Sequence, residues 1–323
     1  MLSEILILLA GFALVILGAE GLVEGASGIA RKLGISEFVI GLTIVAIGTS
    51  APEMVVSIIG AAEGNSDVSA GNVIGSNIFN SLLILGLTAF FMPVPISRSN
   101  KKFDLPIYFG FSLLLLLLSK SRSLLGLGES DGLSRIEGII LLVLFLGHIL
   151  FTYKYQNHPE ESHEVSPGQK RLNKGWIYAL MSLAGLGALT FGGELFVDSA
   201  VAIARISGLS DKFIAVTILA IGTSLPELAT NIVAISKKKS QLALGNVLGS
   251  NIFNMLLVLG AASVIHPISF RAISFIDFGA LLLGALVMLS ALAGRGRMRI
   301  SRREGILLLA LEAAYMTYIL INL

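Results

Sequence analysis

The sequence lacks cysteine and is poor in charge, and each shortage excludes a class of protein. Without cysteine there are no disulfides, no thiol chemistry and no thiolate metal ligands. Only 14% of the 323 residues are Asp, Glu, Lys or Arg, whereas a soluble domain carries about 25%. Of the four histidines none lies in the repeated segments described below, and no HExxH pattern occurs. A soluble enzyme and a zinc hydrolase are therefore both disfavoured.

What the sequence has instead is apolar length. Hydrophobic residues make up 54% of the chain, and the mean hydropathy is +0.85. A membrane-spanning helix needs about 20 apolar residues. The first apolar run is too long for a signal-peptide core and has no basic segment before it, which indicates a retained helix. The sequence predicts an all-α integral membrane protein with ten transmembrane helices, at roughly 4–24, 37–62, 68–92, 104–119, 134–152, 176–203, 211–236, 241–266, 275–293 and 303–322.

Two segments of the chain occur twice at the same offset of 174 residues. GNVIGSNIFN (Gly71–Asn80) returns as GNVLGSNIFN (Gly245–Asn254), and AIGTSAPE (Ala46–Glu53) returns as AIGTSLPE (Ala220–Glu227). An internal repeat of this length indicates two structural halves. We predict a first five-helix half at 1–152, a polar cytoplasmic linker at 153–175 and a second five-helix half at 176–323.

Basic residues predict the orientation of the helices. With ten spans and the N-terminus outside, the cytoplasmic loops hold 17 of the 23 Lys and Arg residues. This asymmetry follows the positive-inside rule and places both termini outside the cell membrane. Because each half has an odd number of spans, the second half enters the membrane from the opposite side. Such inverted-topology repeats are typical of secondary transporters.

The repeated segments place polar groups within apolar helices. Pro52 removes a backbone donor and disfavours helix at the preceding residue, which predicts a broken helix and backbone carbonyls without partners near Ala46. Irregular backbone survives in a membrane only where it is buried in protein or lines a cavity. Thr49, Ser50 and Glu53 can share one helical face. The remaining polar positions of the motifs are Ala220 (through its carbonyl), Thr223, Ser224 and Glu227 in the second copy, and the pairs Ser76/Asn80 and Ser250/Asn254, each four residues apart.

These groups are carboxylates, amides, hydroxyls and backbone carbonyls, and each of them carries an oxygen. Hard oxygen ligands that include carboxylates suit calcium, and neutral hydroxyls and carbonyls suit sodium. Glu53 and Glu227 together carry −2 when ionised, which one divalent or two or more monovalent cations would balance. An unloaded site would leave buried charges unpaired, at a cost of several kcal/mol per ion. We therefore expect obligatory exchange. The glycines can also serve a structural role, because they permit close helix packing. For Asn72 and Asn246 we favour a structural role as well, in which each binds backbone across the repeat instead of an ion.

The paired GTSxPE and GNxxGSNIxN segments resemble the two alpha-repeats of the cation/calcium antiporter superfamily, and most closely its compact prokaryotic sodium/calcium exchangers. The resemblance implies that the first and sixth helices slide across a core of eight helices. It also implies the ligands: Glu53 and Glu227 for calcium with backbone oxygens of Thr49 and Thr223; Ser50, Ser76, Ser224, Ser250 and the carbonyls of Ala46 and Ala220 for sodium; and Asn80 and Asn254 lining the middle.

One position departs from part of that family. Some relatives carry an aspartate where this chain has Asn254, and the amide makes potassium dependence less expected. The predicted function is an antiporter exchanging Na⁺ for Ca²⁺ across the plasma membrane. No enzymatic activity, cofactor, nucleic acid or obligatory protein partner is expected. Two alternatives stay open: an H⁺/Ca²⁺ exchanger of the same superfamily and, more remotely, an intramembrane hydrolase.

Overall fold

The computed structural model describes residues 2–126, 131–155, 175–208, 220–290 and 298–321, and most of them are helical. Helices dominate because a chain in lipid must pair its backbone groups internally. The α-helices are α1 Leu2–Leu33, α2 Glu37–Ile40, α3 Ala46–Thr49, α4 Ala51–Ala62, α5 Ser66–Phe79, α6 Leu85–Phe91, α7 Leu105–Ser119, α8 Ser121–Leu124, α9 Arg135–Tyr155, α10 Gly175–Ile206, α11 Ala220–Thr223, α12 Leu225–Ser236, α13 Ser240–Phe253, α14 Leu259–Ile265, α15 Phe275–Ser290 and α16 Arg302–Ile321.

Short π-helical stretches and strands complete the description. The π-helical stretches are π1 Gly41–Val45, π2 Asn80–Ile84, π3 Asn100–Asp104 and π4 Asn254–Val258. The two-residue strands are β1 Val94–Pro95, β2 Gly132–Leu133, β3 Ile268–Ser269 and β4 Arg299–Ile300, and they pair antiparallel as β1 with β4 and β2 with β3.

The length of the helices supports a membrane protein. Within the described residues, seven helical segments are long and apolar enough to cross a bilayer, and the bent pair Glu37–Thr49 and Ala51–Ala62 would be an eighth. Helix α15 is apolar but shorter. The predicted span 211–236 begins, and the predicted linker 153–175 lies for the most part, outside the described residues. The helical membrane class is confirmed, whereas ten spans and their inverted arrangement stay predictions.

Both copies of the proline motif break a helix in the same way. Helix α3 ends at Thr49 and α4 begins at Ala51, with Ser50 between them at φ −84° and ψ 10°. In the second copy, Ser224 separates α11 from α12 at φ −89° and ψ 9°. The first pair of helical segments is bent by 48°. The predicted helix break before Glu53 is therefore confirmed.

Two turns also repeat at the 174-residue offset. Gly34 and Gly208 both have left-handed φ, at 68° and 81°. Gly64 at φ 74° corresponds to Lys238 at φ 59°, the only non-glycine residue with positive φ among the described residues. Since a side chain disfavours this conformation, the turn at Lys238 is fixed by its surroundings. The repeat is thus visible in backbone conformation outside the repeated motifs.

The chain forms two compact units, and each takes segments from both sequence halves. The first unit comprises Met1–Thr49 and Ile149–Asn246. Its core lies along the contact of α1 with α10, where a Cβ on Gly18 would stand 2.6 Å from the backbone nitrogen of Leu189. Such small residues let membrane helices approach closely. The predicted division of the chain at 153–175 separates the two sequence halves, not these two units, and it stays a prediction.

The second unit comprises Ser50–His148 and Val247–Leu323. Helix α5 packs against α4, α15 and strand β3. The largest fully buried side chains of this unit include Ile74, Ile78, Tyr108, Phe270 and Phe278. This packing fixes α5, which carries Ser76 and leads into Asn80.

Candidate ion-binding site

Glu53 lies in the first turn of α4 and is fully buried. The start of a helix suits a carboxylate because the exposed N–H groups carry partial positive charge there. The Ser76 hydroxyl donates to Glu53 Oε1 at 3.4 Å. Asn72 Nδ2 donates to the Glu53 backbone carbonyl at 3.1 Å and to Ser57 Oγ at 3.0 Å. Asn72 therefore bonds backbone, as expected, but the carbonyl belongs to its own half of the repeat and not to the other half. Ser76 and Glu53, both members of the predicted ligand set, lie together.

Glu227 occupies the matching place in the first turn of α12 and is 1% exposed. One turn further along α12, Asn231 Oδ1 accepts a hydrogen bond from Asn246 Nδ2 at 3.3 Å. Asn231 and Asn246 correspond to Ser57 and Asn72 at the 174-residue offset. The same two positions therefore hold each glutamate-bearing helix to the helix of the second motif, with different side chains.

The threonine before each helix break is placed differently in the two copies. Thr49 is fully buried, and its hydroxyl lies 3.4 Å from the Ala46 carbonyl and 3.2 Å from Asn246 Oδ1, both as acceptors. The Ala46 carbonyl, which we expected to have no partner, has the Thr49 hydroxyl beside it, so this part of the prediction is wrong. Thr223 ends α11 and is partly exposed, and Ala220 begins that helix.

The four serines of the predicted set are all buried. Ser50 and Ser224 occupy the two helix breaks, and Ser76 and Ser250 lie on α5 and α13. A serine hydroxyl at a helix break can coordinate a cation, because the regular helix turn is interrupted there and leaves room beside the side chain. All four serines are thus buried at the predicted places, and their role as ligands stays a prediction.

Asn80 and Asn254 are the most unusual members of the set. Both are fully buried, and each begins a π-helical stretch. Within the described residues, neither the amide oxygen nor the amide nitrogen of either side chain has a hydrogen-bond partner. Buried polar groups in proteins are nearly always paired, and each unmade bond costs about 1–3 kcal/mol. Local π-helices often accompany functional sites, so both amides fit contact with a ligand.

The donor chemistry of the candidate ligands favours hard cations. No group of three or more His, Asp or Glu side chains gathers in the part of the chain that the structure describes. The candidate ligands are single carboxylates accompanied by hydroxyl and amide oxygens. Such ligands suit hard cations such as calcium and sodium rather than zinc or copper.

Comparison with known proteins decides the family. A family model for sodium/calcium exchanger proteins matches residues 3–154 and 177–321. The chain belongs to the sodium/calcium exchanger family. The exchanger is 40% identical over 326 residues to the putative antiporter CaxA of Alkalimonas amylolytica, covering 98% of each chain. It is 31% identical over 340 residues to the sodium/calcium exchanger MaX1 of Methanosarcina acetivorans, covering 96% of this chain and 97% of the relative.

A solved structure agrees with this assignment. The sodium-calcium exchanger NCX_Mj, soaked with Na⁺ and Sr²⁺, matches the exchanger with a TM-score of 0.83 at 31% identity, covering 98% of both chains. The exchanger is therefore an integral membrane cation/Ca²⁺ antiporter and not an enzyme. This outcome confirms the predicted superfamily and removes the intramembrane hydrolase.

Sequence reasoning missed one buried polar network of the exchanger. Asn77 Nδ2 donates to the Asn251 carbonyl at 3.2 Å, and Asn251 Nδ2 donates to Ser81 Oγ at 2.8 Å and to Tyr108 Oη at 3.2 Å. All four residues are fully buried. Asn77 and Asn251 stand inside the repeated segments, but the four-residue spacing drew attention to their neighbours. Tyr108 lies shortly before a run of six leucines, and a hydroxyl among apolar neighbours was the available signal.

Proposed function

We propose that the exchanger moves Na⁺ in one direction and Ca²⁺ in the other by alternating access, with Glu53 and Glu227 as the central ligands. The observation that carries this proposal is the matched pair of buried carboxylates, each in the first turn after an identical helix break. Two such acids in membrane helices are expensive without a functional partner. The names of MaX1 and NCX_Mj as sodium/calcium exchangers support sodium as the counter-ion.

The proposed ligands divide by charge. Glu53 and Glu227 hold calcium, with backbone oxygens of Thr49 and Thr223 completing its shell. Asn80 and Asn254 line the middle through their amides, which have no hydrogen-bond partner among the described residues. Sodium binds through neutral oxygens: the hydroxyls of Ser50, Ser76, Ser224 and Ser250, and the carbonyls of Ala46 and Ala220.

The electrostatics of two carboxylates then couple the ions. One calcium or at least two sodium ions neutralise the pair, and an empty site keeps an uncompensated charge in a medium of low dielectric constant. Occlusion is therefore favourable only when the ligands are loaded, which links the two fluxes. The proposed architecture has ten spans in two inverted halves in the plasma membrane, with both termini outside.

The test is calcium-45 uptake into proteoliposomes of the purified exchanger. Vesicles loaded with sodium are diluted into sodium-free or sodium-matched buffer at equal pH. We expect uptake only with the outward sodium gradient, and it should survive a protonophore. Uptake driven instead by an imposed pH gradient, with no response to sodium, would assign the proton-coupled alternative.

Variants separate the proposed ligands from other buried acids. Glu53→Gln and Glu227→Gln should each abolish calcium uptake, because the amide keeps the size of the side chain and removes its charge. The matched control is Glu312→Gln, since Glu312 is a buried glutamate of α16 outside the repeated motifs. Wild-type uptake by both glutamate variants, or equal loss in all three, would contradict the ligand assignment.

A further inference from the structure

The buried network of Asn77, Ser81, Tyr108 and Asn251 lies within the second unit and has no role in the function proposed so far. Its members come from α5, π2, α7 and α13. None of the four is charged, and all are fully buried. Asn77 and Asn251 directly follow Ser76 and Ser250, so each shares a helix turn with a proposed sodium ligand.

The hydrogen-bond pattern fixes the orientation of the Asn251 amide. Ser81 Oγ and Tyr108 Oη are 2.6 Å apart, so one proton must lie between them. Both hydroxyl oxygens accept from the two N–H groups of Asn251. If the amide were turned over, its oxygen would face two hydroxyl oxygens with only one proton left to donate. The pattern therefore requires Nδ2 toward Ser81 and Tyr108, and Oδ1 away from them.

Asn77 is oriented by a simpler rule. Its Nδ2 faces the Asn251 backbone carbonyl at 3.2 Å. A carbonyl can only accept, so the nitrogen rather than the oxygen must take this position. Consequently the oxygen of Asn77, like that of Asn251, is directed away from the network.

Both amide oxygens are buried acceptors with no hydrogen-bond partner among the described residues. A ligand that satisfies such a buried acceptor must be a donor or a cation. The hydrogen bonds that Asn77 and Asn251 make in this network involve neutral groups alone. A monovalent ion therefore suits their oxygens better than a divalent one, which needs carboxylate compensation. In an antiporter of cations, the available monovalent ion is a transported one.

The repeat shows that this arrangement is particular to one of the two asparagines. At the 174-residue offset Ser81 becomes Met255, and Tyr108 becomes Leu282. The second half therefore offers Asn77 no pair of hydroxyls, and only Asn251 has both amide hydrogens committed. The internal repeat therefore does not explain why Ser81 and Tyr108 are present, because the other half lacks both hydroxyls.

We propose that the amide oxygens of Asn77 and Asn251 bind a transported monovalent cation, and that Ser81 and Tyr108 are positioning residues that hold the Asn251 oxygen toward it. The inference rests on the proposed function, because sodium is the monovalent ion of that exchange. Tyr108 acts through Asn251 and does not touch the ion.

The experiment compares two transport modes of the same proteoliposomes. Sodium-driven calcium-45 uptake is measured against internal sodium concentration, and calcium/calcium exchange is measured without sodium. Tyr108→Phe removes one acceptor from Asn251 and frees its amide. We expect the half-saturating sodium concentration to rise about fivefold, as for one lost hydrogen bond, while calcium/calcium exchange stays at the wild-type level. Ser81→Ala should act in the same direction, and Asn77→Leu, which removes the oxygen itself, should have a larger effect.

The control is Tyr315→Phe, which removes the hydroxyl of a half-buried tyrosine, bonded to Asp277 at 2.8 Å in the same unit. It should leave both modes unchanged. Wild-type sodium dependence in Tyr108→Phe, Ser81→Ala and Asn77→Leu would overturn the inference, as would equal loss of both modes, which marks a structural role. A wild-type exchanger that ignores sodium would instead refute the proposed function, so the two failures are distinguishable.

Discussion

At the residue scale, the hydrogen bonds described at Glu53 come from neutral groups. The hydrogen-bond partners found near Glu53 are Ser76 on its carboxylate and Asn72 on its carbonyl. A hydroxyl can turn its hydrogen toward a carboxylate or its oxygen toward a cation, since it is both donor and acceptor. Ser76 therefore has the chemistry to stabilise the glutamate in one state and a sodium ion in another.

Removal of the Ser76 hydroxyl tests this dual use. Ser76→Ala should raise the half-saturating sodium concentration several-fold and change that for calcium by less than about twofold, because the 3.4 Å contact with Glu53 is long and weak. Both constants are read from calcium-45 uptake in proteoliposomes. Ser69→Ala is the control, since Ser69 is a buried serine of the same helix whose hydroxyl donates to the Ser57 carbonyl at 2.6 Å. Equal shifts for both ions would assign Ser76 a structural role.

The sequence predicted those site residues that stand out locally and missed those whose partners are distant in the chain. Glu53 and Glu227 stand out because acids are rare in apolar runs, and proline predicts the break before each. The contact of the Ala46 carbonyl with the Thr49 hydroxyl was missed because it depends on a side-chain rotamer, which only coordinates reveal. Tyr108 was missed because its partners Ser81 and Asn251 come from two other segments, which no local pattern brings together.

At the element scale, the helices are interrupted where the candidate ligands lie. π2 and π4 begin at Asn80 and Asn254, and α3 and α11 stop one residue before Ser50 and Ser224. Proline makes the second kind of interruption predictable. A π-helical stretch depends on a single additional residue in the hydrogen-bond ring, which hydrophobic periodicity does not resolve. The short strand pairs escaped prediction for a related reason, since two residues are too few to show alternation.

A buried ion pair supports one of those strand pairs. Lys120 and Asp131 are 3.3 Å apart, with side chains 7% and 4% exposed, and Lys120 Nζ also donates to the Phe270 carbonyl at 2.8 Å. Asp131 directly precedes β2, and Phe270 directly follows β3. Burial alone would raise the pKa of Asp131, but hydrogen bonds from Ser123 and the charge of Lys120 outweigh it, so the pKa lies below its ordinary value.

Replacing one partner of the Lys120–Asp131 pair should destabilise the fold more than replacing both. Lys120→Met leaves a buried carboxylate without its cation and should lower the free energy of unfolding by about 3 kcal/mol, whereas Lys120→Met combined with Asp131→Asn should cost less. Thermal unfolding in detergent measures both, with Lys102→Met as the exposed control. Because the pKa of Asp131 is lowered, its stabilising effect is present above the ordinary pKa of an aspartate and is lost as pH falls through the lowered one. A double variant as unstable as the single one would contradict the coupling.

At the scale of the whole molecule, the repeat is visible in backbone turns as well as in motifs. The turn at Gly64, between α4 and α5, corresponds to the turn at Lys238, between α12 and α13. Similar local structure is compatible with either a parallel or an inverted arrangement of the halves. Only the side of the membrane on which each turn lies distinguishes them, and the positive-inside rule predicts opposite sides.

The absence of cysteine makes that prediction directly measurable, because an introduced cysteine is a unique reporter. Glu63→Cys and Lys238→Cys place it in the two corresponding turns, and both positions are exposed. In intact cells a membrane-impermeant maleimide should modify the cysteine at 63 and reach the one at 238 only after permeabilisation. The parent chain controls for background labelling, and Lys101→Cys, in another predicted cytoplasmic loop, should behave like 238. Modification of both turns from the same side would refute the inverted topology, and opposite sides in the reverse order would refute the proposed orientation alone.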